Sequence, residues 1–143
     1  MAYMCMGCYE VYDRELGYCP KVNCHRDVVE IDELMLLAIK ILNQKGYITE
    51  YCCAGHVYDD GCTTYVLLHS LITDILGDEG INEIKEILPE SWIMEIDNLC
   101  RINFQYTLKK DYEYKLYVQT YEDILEANLE FLHFVQQLPE LEY

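Results

Sequence analysis

Positive charge is scarce in this chain. Only 10 Lys and Arg stand against 26 Asp and Glu, giving a formal net charge of -16. Such a field repels phosphates and attracts basic protein surfaces, so direct nucleic-acid binding is disfavoured. No apolar run approaches the roughly 20 residues of a membrane span, which points away from a membrane. The first residues, Met1-Ala-Tyr-Met-Cys-Met-Gly-Cys8, carry neither a basic segment nor a long apolar stretch, so they do not read as a secretory signal. There is no Pro/Ser-rich linker, no low-complexity tract and no glycine-rich phosphate loop. The eight cysteines therefore read as thiols or metal ligands in a reducing cytoplasm rather than as a disulfide framework.

What is present is enough for a core. The 143 residues are 52% hydrophobic, which suits one compact unit: a zinc module over residues 1–30 and an α+β domain over 31–143 packed against it. The acid is uneven. Residues 71–143 hold 16 acidic and 5 basic side chains, against 10 and 5 in residues 1–70.

The densest chemistry lies near the start. Cys5-Met-Gly-Cys8 is followed by ten residues and then by Cys19-Pro-Lys-Val-Asn-Cys24, with His25 next. Two cysteines three apart sit on one tight turn and aim both sulfurs at one point. Two such turns supply the four ligands of a closed structural zinc site, a zinc ribbon or knuckle. The intervening residues, Tyr9 to Tyr18, alternate loosely around Asp13-Arg14-Glu15 and suit a hairpin with a polar tip. Gly7 and Gly17 are expected to relieve backbone strain near the turns. The second pair is wider than usual, so His25 is an alternative fourth ligand to Cys24. The competing reading is four reduced cysteines packed as small hydrophobes. About twenty residues of this kind fold only around the metal.

Beyond the module, Val28 to Ile31 reads as an extended link. Asp32 is a candidate N-cap for a helix over 33–45, with Leu34, Leu37, Ala38, Ile41 and Leu42 on its inner face and Met35, Leu36 and Ile39 widening it. Gly46 is its stop. Tyr47 to Cys53 alternates as a strand with Tyr47, Thr49, Tyr51 and Cys53 on one side. Residues 54–62 form a turn region, and Thr63 to Ser70 returns as the second strand of a hairpin. Leu71 to Gly77 is a short helix or a connector. A helix over 80–88 ends at Pro89. Residues 91–97 and 100–107 form a second strand pair with Asn98 at the turn, and 113–120 alternates as a further strand. The last helix covers 121–138, with Ile124, Leu125, Ala127, Leu129, Leu132 and Val135 inward. The order α-β-β-α-β-β-α predicts an antiparallel sheet with helices on one face.

Tyr51-Cys52-Cys53-Ala54-Gly55-His56 closes the first of these strands. Neighbouring strand residues face opposite ways, so only one of the two cysteines can look into the turn. Gly55 lets His56 swing back beside Cys53. Three readings stand here. Cys53 and His56 form a nucleophile and its base, though no Asn or Asp is placed to orient the imidazole. Alternatively Cys53, His56 and Cys62, with His69 nearby, hold a second metal. Or these are turn and core residues without chemistry. Asp59 and Asp60 suit a solvated tip, His133 reads as packing or surface, and Cys100 reads as core.

The pattern Ile31-Asp-Glu-Leu-Met35, Leu42-Asn-Gln-Lys-Gly-Tyr47 and Cys52-Cys53-Ala-Gly-His56 resembles small uncharacterised proteins of Gram-positive bacteria and their phages. These pair an N-terminal cysteine knuckle with a Cys-Cys-x-Gly-His turn. In size, acidity and zinc module the chain is also similar in general character to phage-encoded anti-CRISPR inhibitors. That resemblance implies a non-enzymatic protein of the host cytoplasm that binds a basic, nucleic-acid-processing partner, while a structural zinc adaptor is the remaining alternative.

Overall fold

The computed structural model describes residues 2–55, 64–106 and 121–142. In chain order the elements are β1 (Ala2–Cys5), β2 (Val11–Tyr12) and β3 (Val28–Ile31), then a 3-10 turn (Glu33–Met35) leading into α1 (Leu36–Gln44). There follow β4 (Thr49–Cys53), β5 (Tyr65–Leu68), α2 (Leu71–Ile87), β6 (Trp92–Ile96), β7 (Ile102–Tyr106) and α3 (Tyr121–Gln137). The fold is mixed α+β with two antiparallel sheets, ordered β2-β1-β3 and β4-β5-β7-β6. Among the described residues, no helix is long and apolar enough to cross a membrane.

The small sheet departs from the expected knuckle. Val28 to Ile31 is a strand, not a link: β3 pairs along its whole length with β1, from Ala2↔Ile31 to Cys5↔Val28. The residues after Cys8 return onto β1, with Tyr3↔Tyr12 and Met4↔Val11. Tyr18 instead bridges to Asp27. β-Branched Val28, Val29 and Ile31 favour extended backbone, but their partner lies at the chain's beginning, beyond the reach of local pattern.

The two expected hairpins are present, β4 with β5 and β6 with β7. Their second and fourth strands in sequence, β5 and β7, meet at the sheet's centre. Directly paired residues share a face. Val66, Leu68, Ile102, Phe104 and Tyr106 are accordingly buried, while Tyr65, Leu67, Asn103 and Gln105 are half-buried on the other face. Onto the buried face α3 delivers Phe131 and Phe134. Phe131 lies 4.7 Å from the Trp92 ring and Phe134 5.3 Å from Phe104. Tilted and edge-on pairs at such separations add to the hydrophobic gain of burial.

Helix faces are where expectation and structure differ most. In α1 the buried side is Met35, Ala38, Ile39 and Leu42, whereas Leu34 and Leu37 are 45% and 53% exposed. In α3, Leu125 and Leu129 stay outward and the phenylalanines turn inward. Apolar residues outside the buried side occur on both helices, so periodicity alone leaves the inner direction open; in α3 it is the rings of Phe131 and Phe134 that meet the sheet. Asp32 does not cap α1. Its Oδ2 instead accepts the Ala54 N–H at 2.8 Å, tying the helix start to the end of β4. In β4 an irregularity between Thr49 and Tyr51 breaks the expected alternation, leaving Tyr47 and Cys53 buried and Tyr51 outward.

Glycine and aspartate set the breaks. Gly46 ends α1 at φ 97°. Gly77 kinks α2 at φ 65° and ψ 179°, so the two expected segments form one broken helix. Leu88 is extended ahead of Pro89, as expected. The β6–β7 turn is built on Asp97, whose carboxylate accepts from Leu99 N, Arg101 N and Arg101 Nε at 2.8–3.0 Å. Bonding to Arg101 holds that carboxyl below its ordinary value. Cys100, expected in the core, lies exposed in this turn with φ 61°. The expected strand over 113–120 and the turn carrying His56, Asp59, Asp60 and Cys62 fall outside the described residues.

One cation joins the two ends of the domain. Lys45 Nζ donates to the carbonyls of Val135, Gln136 and Leu138 at 2.9, 2.9 and 2.6 Å, capping the C-terminus of α3. Tyr47 donates its hydroxyl to Pro139 O at 2.8 Å, and Leu141 N donates to Lys45 O. A charge-assisted cap at a helix C-terminus is worth about 2 kcal/mol. Lys45→Met should lower the free energy of urea unfolding by about that amount, whereas Lys40→Met should change it by less than about 0.5 kcal/mol.

Candidate metal centre

Cys5, Cys8, Cys19 and Cys24 come together, their sulfurs all within 4.8 Å of one another. β1 ends at Cys5. The chain then turns, with Tyr9 N donating to Cys5 O and Cys5 N to Glu10 O, which brings Cys8 round. Cys19 is held from the other side, its N–H donating to Arg26 O at 2.8 Å, and Met6 N donates to Asp27 O. The two cysteine turns are thus clamped to each other by backbone as well as by sulfur.

The spacing fits a tetrahedron. A metal with arms of about 2.3 Å sets its sulfurs about 3.8 Å apart. Cys5 and Cys24 are separated by 3.5 Å, and Cys8 and Cys19 by 3.8 Å. These gaps far exceed the roughly 2 Å of a disulfide, and all four residues are free thiols. Cys5 and Cys19 are fully buried while Cys8 is exposed, so one side of the cluster faces solvent.

The turns need unusual backbone. Tyr9, Asn23 and His25, beside Cys8 and Cys24, adopt positive φ of 63°, 70° and 51°. The glycines expected to carry that strain do not. Gly7 is needed for room: a Cβ there would stand 2.4 Å from Arg26 Cγ and 3.3 Å from Cys24 Sγ. Gly17 has open space around it. Strain borne by three side-chain-bearing residues persists only where surrounding contacts over-determine it.

The thiols are pulled in different directions. Burial raises the Cys5 thiol, but N–H donors from Cys8 and Gly7 outweigh it and hold the group down at about 7. A bond from the Glu10 backbone draws Cys8 down, yet burial and the neighbouring sulfurs push it up to about 11. Cys19 is lowered, chiefly by the Tyr12 hydroxyl, which donates to its sulfur at 3.2 Å; the same pairing pushes Tyr12 well above its ordinary value. Some sulfurs are prepared as thiolates while their neighbours resist a second and third negative charge. A divalent cation at the centre removes that conflict. Because ligands must lose their protons first, metal affinity falls as pH falls. Four sulfurs close the coordination sphere and leave no open position for substrate, which is the structural type of site. A sulfur-only tetrahedron accepts zinc or iron.

The other expected ligands are placed differently. The His25 ring is exposed and meets Tyr18 edge-on at 6.3 Å, outside the four-sulfur group. Cys53 is buried, and its sulfur accepts the Gly55 N–H at 3.4 Å. Cys52 is pushed up to about 12 by burial, then by the nearby charges of Asp32 and Cys53, so it is a neutral thiol packed at the core's margin. His56 and Cys62 lie outside the described residues. His69 Nδ1 accepts from Leu71 N at 3.0 Å, which serves the start of α2. His133 is exposed on α3. Among the described residues, the N-terminal cysteines are the one cluster able to hold a metal. Tyr12 was not legible beforehand: its place in a loose alternation says nothing of where its hydroxyl ends.

Comparison with models of protein families, with curated proteins and with solved structures finds no match to this chain. Its chemistry is carried by the site alone.

Outer hydrogen bonds to metal ligands typically change affinity by about 10–100-fold. Tyr12→Phe should therefore weaken zinc binding about tenfold in a chelator competition, with the far-ultraviolet circular dichroism of the zinc-loaded protein unchanged.

Proposed function

We propose that this chain is a zinc-stabilised, non-enzymatic binding protein whose acidic body engages a basic surface of a partner protein. The partner fitting this charge is a nucleic-acid-processing enzyme, such as an RNA-guided nuclease of a bacterial host. Occupying its channel would block nucleic-acid loading, the role of a phage or mobile-element inhibitor acting in the host cytoplasm. Zinc is the metal assigned to the four sulfurs, since closed Cys₄ sites of this kind are its commonest structural use.

The observation that carries the reading is the solvent side of α2. Asp74, Asp78, Glu79, Glu83 and Glu86 are all exposed there, with Lys85 the one basic residue of the helix. A surface of one sign steers an oppositely charged protein and repels phosphates. No observation favours an enzyme built on Cys53 and His56. A structural zinc adaptor shares the metal centre but does not need this acidic helix.

The test is a gel-shift assay of guide and DNA binding by candidate RNA-guided nucleases. The protein should prevent loading at low salt, and its half-inhibitory concentration should rise about tenfold or more between 50 and roughly 300 mM salt. Reversing Asp78, Glu79, Glu83 and Glu86 to lysine should abolish the effect while leaving the fold intact. Salt-insensitive inhibition, or tight DNA binding by the free protein, would contradict the proposal.

A further inference from the structure

The clefts of this molecule differ in charge. The one beside β2 carries Asp13 and Glu33, and the one between β3 and β4 carries Glu30 and Glu50. A third, of about 380 Å³, borders the four-sulfur group at Cys8 and Cys24, and its charged lining is Lys21 and Arg26. Clefts of this volume accommodate small ligands. Two of the chain's 10 basic residues thus stand at one mouth, with none of its 26 acidic residues in the lining. Lys21 shares its charge with Glu10 at 3.0 Å, whereas Arg26 has no ion-pair partner among the described residues. Gly7 leaves room for the Arg26 stem, with whose Cγ a side chain there would collide. A local positive spot on so acidic a chain draws small anions to itself.

The four sulfurs are not equivalent. Cys5 and Cys19 are buried, Cys24 is half-buried and Cys8 is exposed. Cys8 is therefore the sulfur that a reagent in the cleft meets first. Metal coordination deprotonates a thiol outright, and the thiolate is the form that attacks a disulfide. A second sulfur lies behind it: Cys19 Sγ stands 3.8 Å from Cys8 Sγ. Cys100 is also exposed, but it lies in the β6–β7 turn, its N–H donating to Asp97 O, and does not line this cleft.

We propose that Cys8 is a thiol–disulfide exchange site for small disulfides bearing carboxylates, which Lys21 and Arg26 hold in the cleft. The Cys8 thiolate attacks one sulfur of the disulfide and the S–S bond breaks. One half leaves as a thiolate, and the other stays on Cys8 as a mixed disulfide. The Cys19 thiolate then attacks Cys8 Sγ and expels the second half as a thiolate. One small disulfide is reduced to two thiolates, while Cys8 and Cys19 are oxidised to one disulfide. Cys5 and Cys24 remain, too few to close a zinc site. The cleft thereby couples the redox state of its surroundings to the N-terminal segment. The inference rests on the metal centre within the proposed reading and is independent of the acidic helix α2.

The experiment incubates protein of measured zinc content with glutathione disulfide or with cystamine, a cationic disulfide. Modified cysteines are mapped by mass spectrometry, and zinc release is followed with a chromogenic chelator. Cys100 is the internal reference, because the reagents' intrinsic reactivities cancel in the ratio of Cys8 to Cys100 modification. That ratio should be about fivefold higher for glutathione disulfide than for cystamine, the effect expected of exposed charge pairs. A Cys8–Cys19 disulfide should follow, together with loss of the bound zinc. The double variant Lys21→Gln, Arg26→Gln should lower the ratio for glutathione disulfide about fivefold. It should leave the ratio for neutral hydroxyethyl disulfide and the circular dichroism unchanged. Modification of Cys100 ahead of Cys8, equal ratios for the two charged disulfides, or a double variant that behaves as the parent would each overturn the proposal. Protein isolated without zinc would contradict the metal centre itself, and the same ratios would still decide this site.

Discussion

Four sulfurs that cannot all be negative without a cation between them are the constraint on which the N-terminal segment, residues 2–31, depends. Backbone N–H groups of Gly7 and Cys8 and the Tyr12 hydroxyl stabilise charge on Cys5 and Cys19, while Cys8 is driven the other way. A divalent metal among them would satisfy all four at once. Such an ion would also fix where β1 ends and where the chain leading into β3 begins. The positive φ angles at Tyr9, Asn23 and His25 are the conformational cost of wrapping two turns around one point.

This module is joined to the body through shared core. Met4 of β1 and Ile31 of β3 belong to the same buried cluster as Met35, Ile39 and Leu42 of the helical segment that follows. Beneath them the large sheet offers Val66, Leu68, Phe104 and Tyr106 to the rings of α3. Asn128 ties the layers with polar bonds, its Nδ2 donating to Ala54 O at 3.0 Å and to Ile124 O at 2.7 Å. At the opposite end of α3, Lys45 holds the last carbonyls. The acidic residues face outward around this interior, so the charge that shapes the proposed function costs the core little.

Much of this was legible in the sequence. The cysteine spacing named the four clustered residues because metal chemistry makes spacing local. Gly46 and Pro89 marked helix ends through backbone geometry that depends on a single residue. The pairing of β6 with β7 followed from period-two alternation, and the first hairpin was found although the irregularity between Thr49 and Tyr51 breaks that alternation in β4. Long-range facts were not legible. Nothing near Val28 reveals that its partner is Cys5, and nothing near Asp32 reveals that Ala54 competes for its carboxylate. Leu125 and Leu129 obeyed helical spacing and still faced solvent, since the choice between them and Phe131 depends on the sheet they meet. Cys100 illustrates the same limit: a small apolar residue beside a strand was placed in a turn by the bonding needs of Asp97.

Metal analysis of the purified chain, coupled to amide exchange before and after chelation, tests the central claim most directly. One zinc per chain is expected, and its removal should expose the amides of residues 2–31 to exchange ahead of the large sheet. Protein that carries no metal, with exchange in that segment indifferent to chelator, would contradict it.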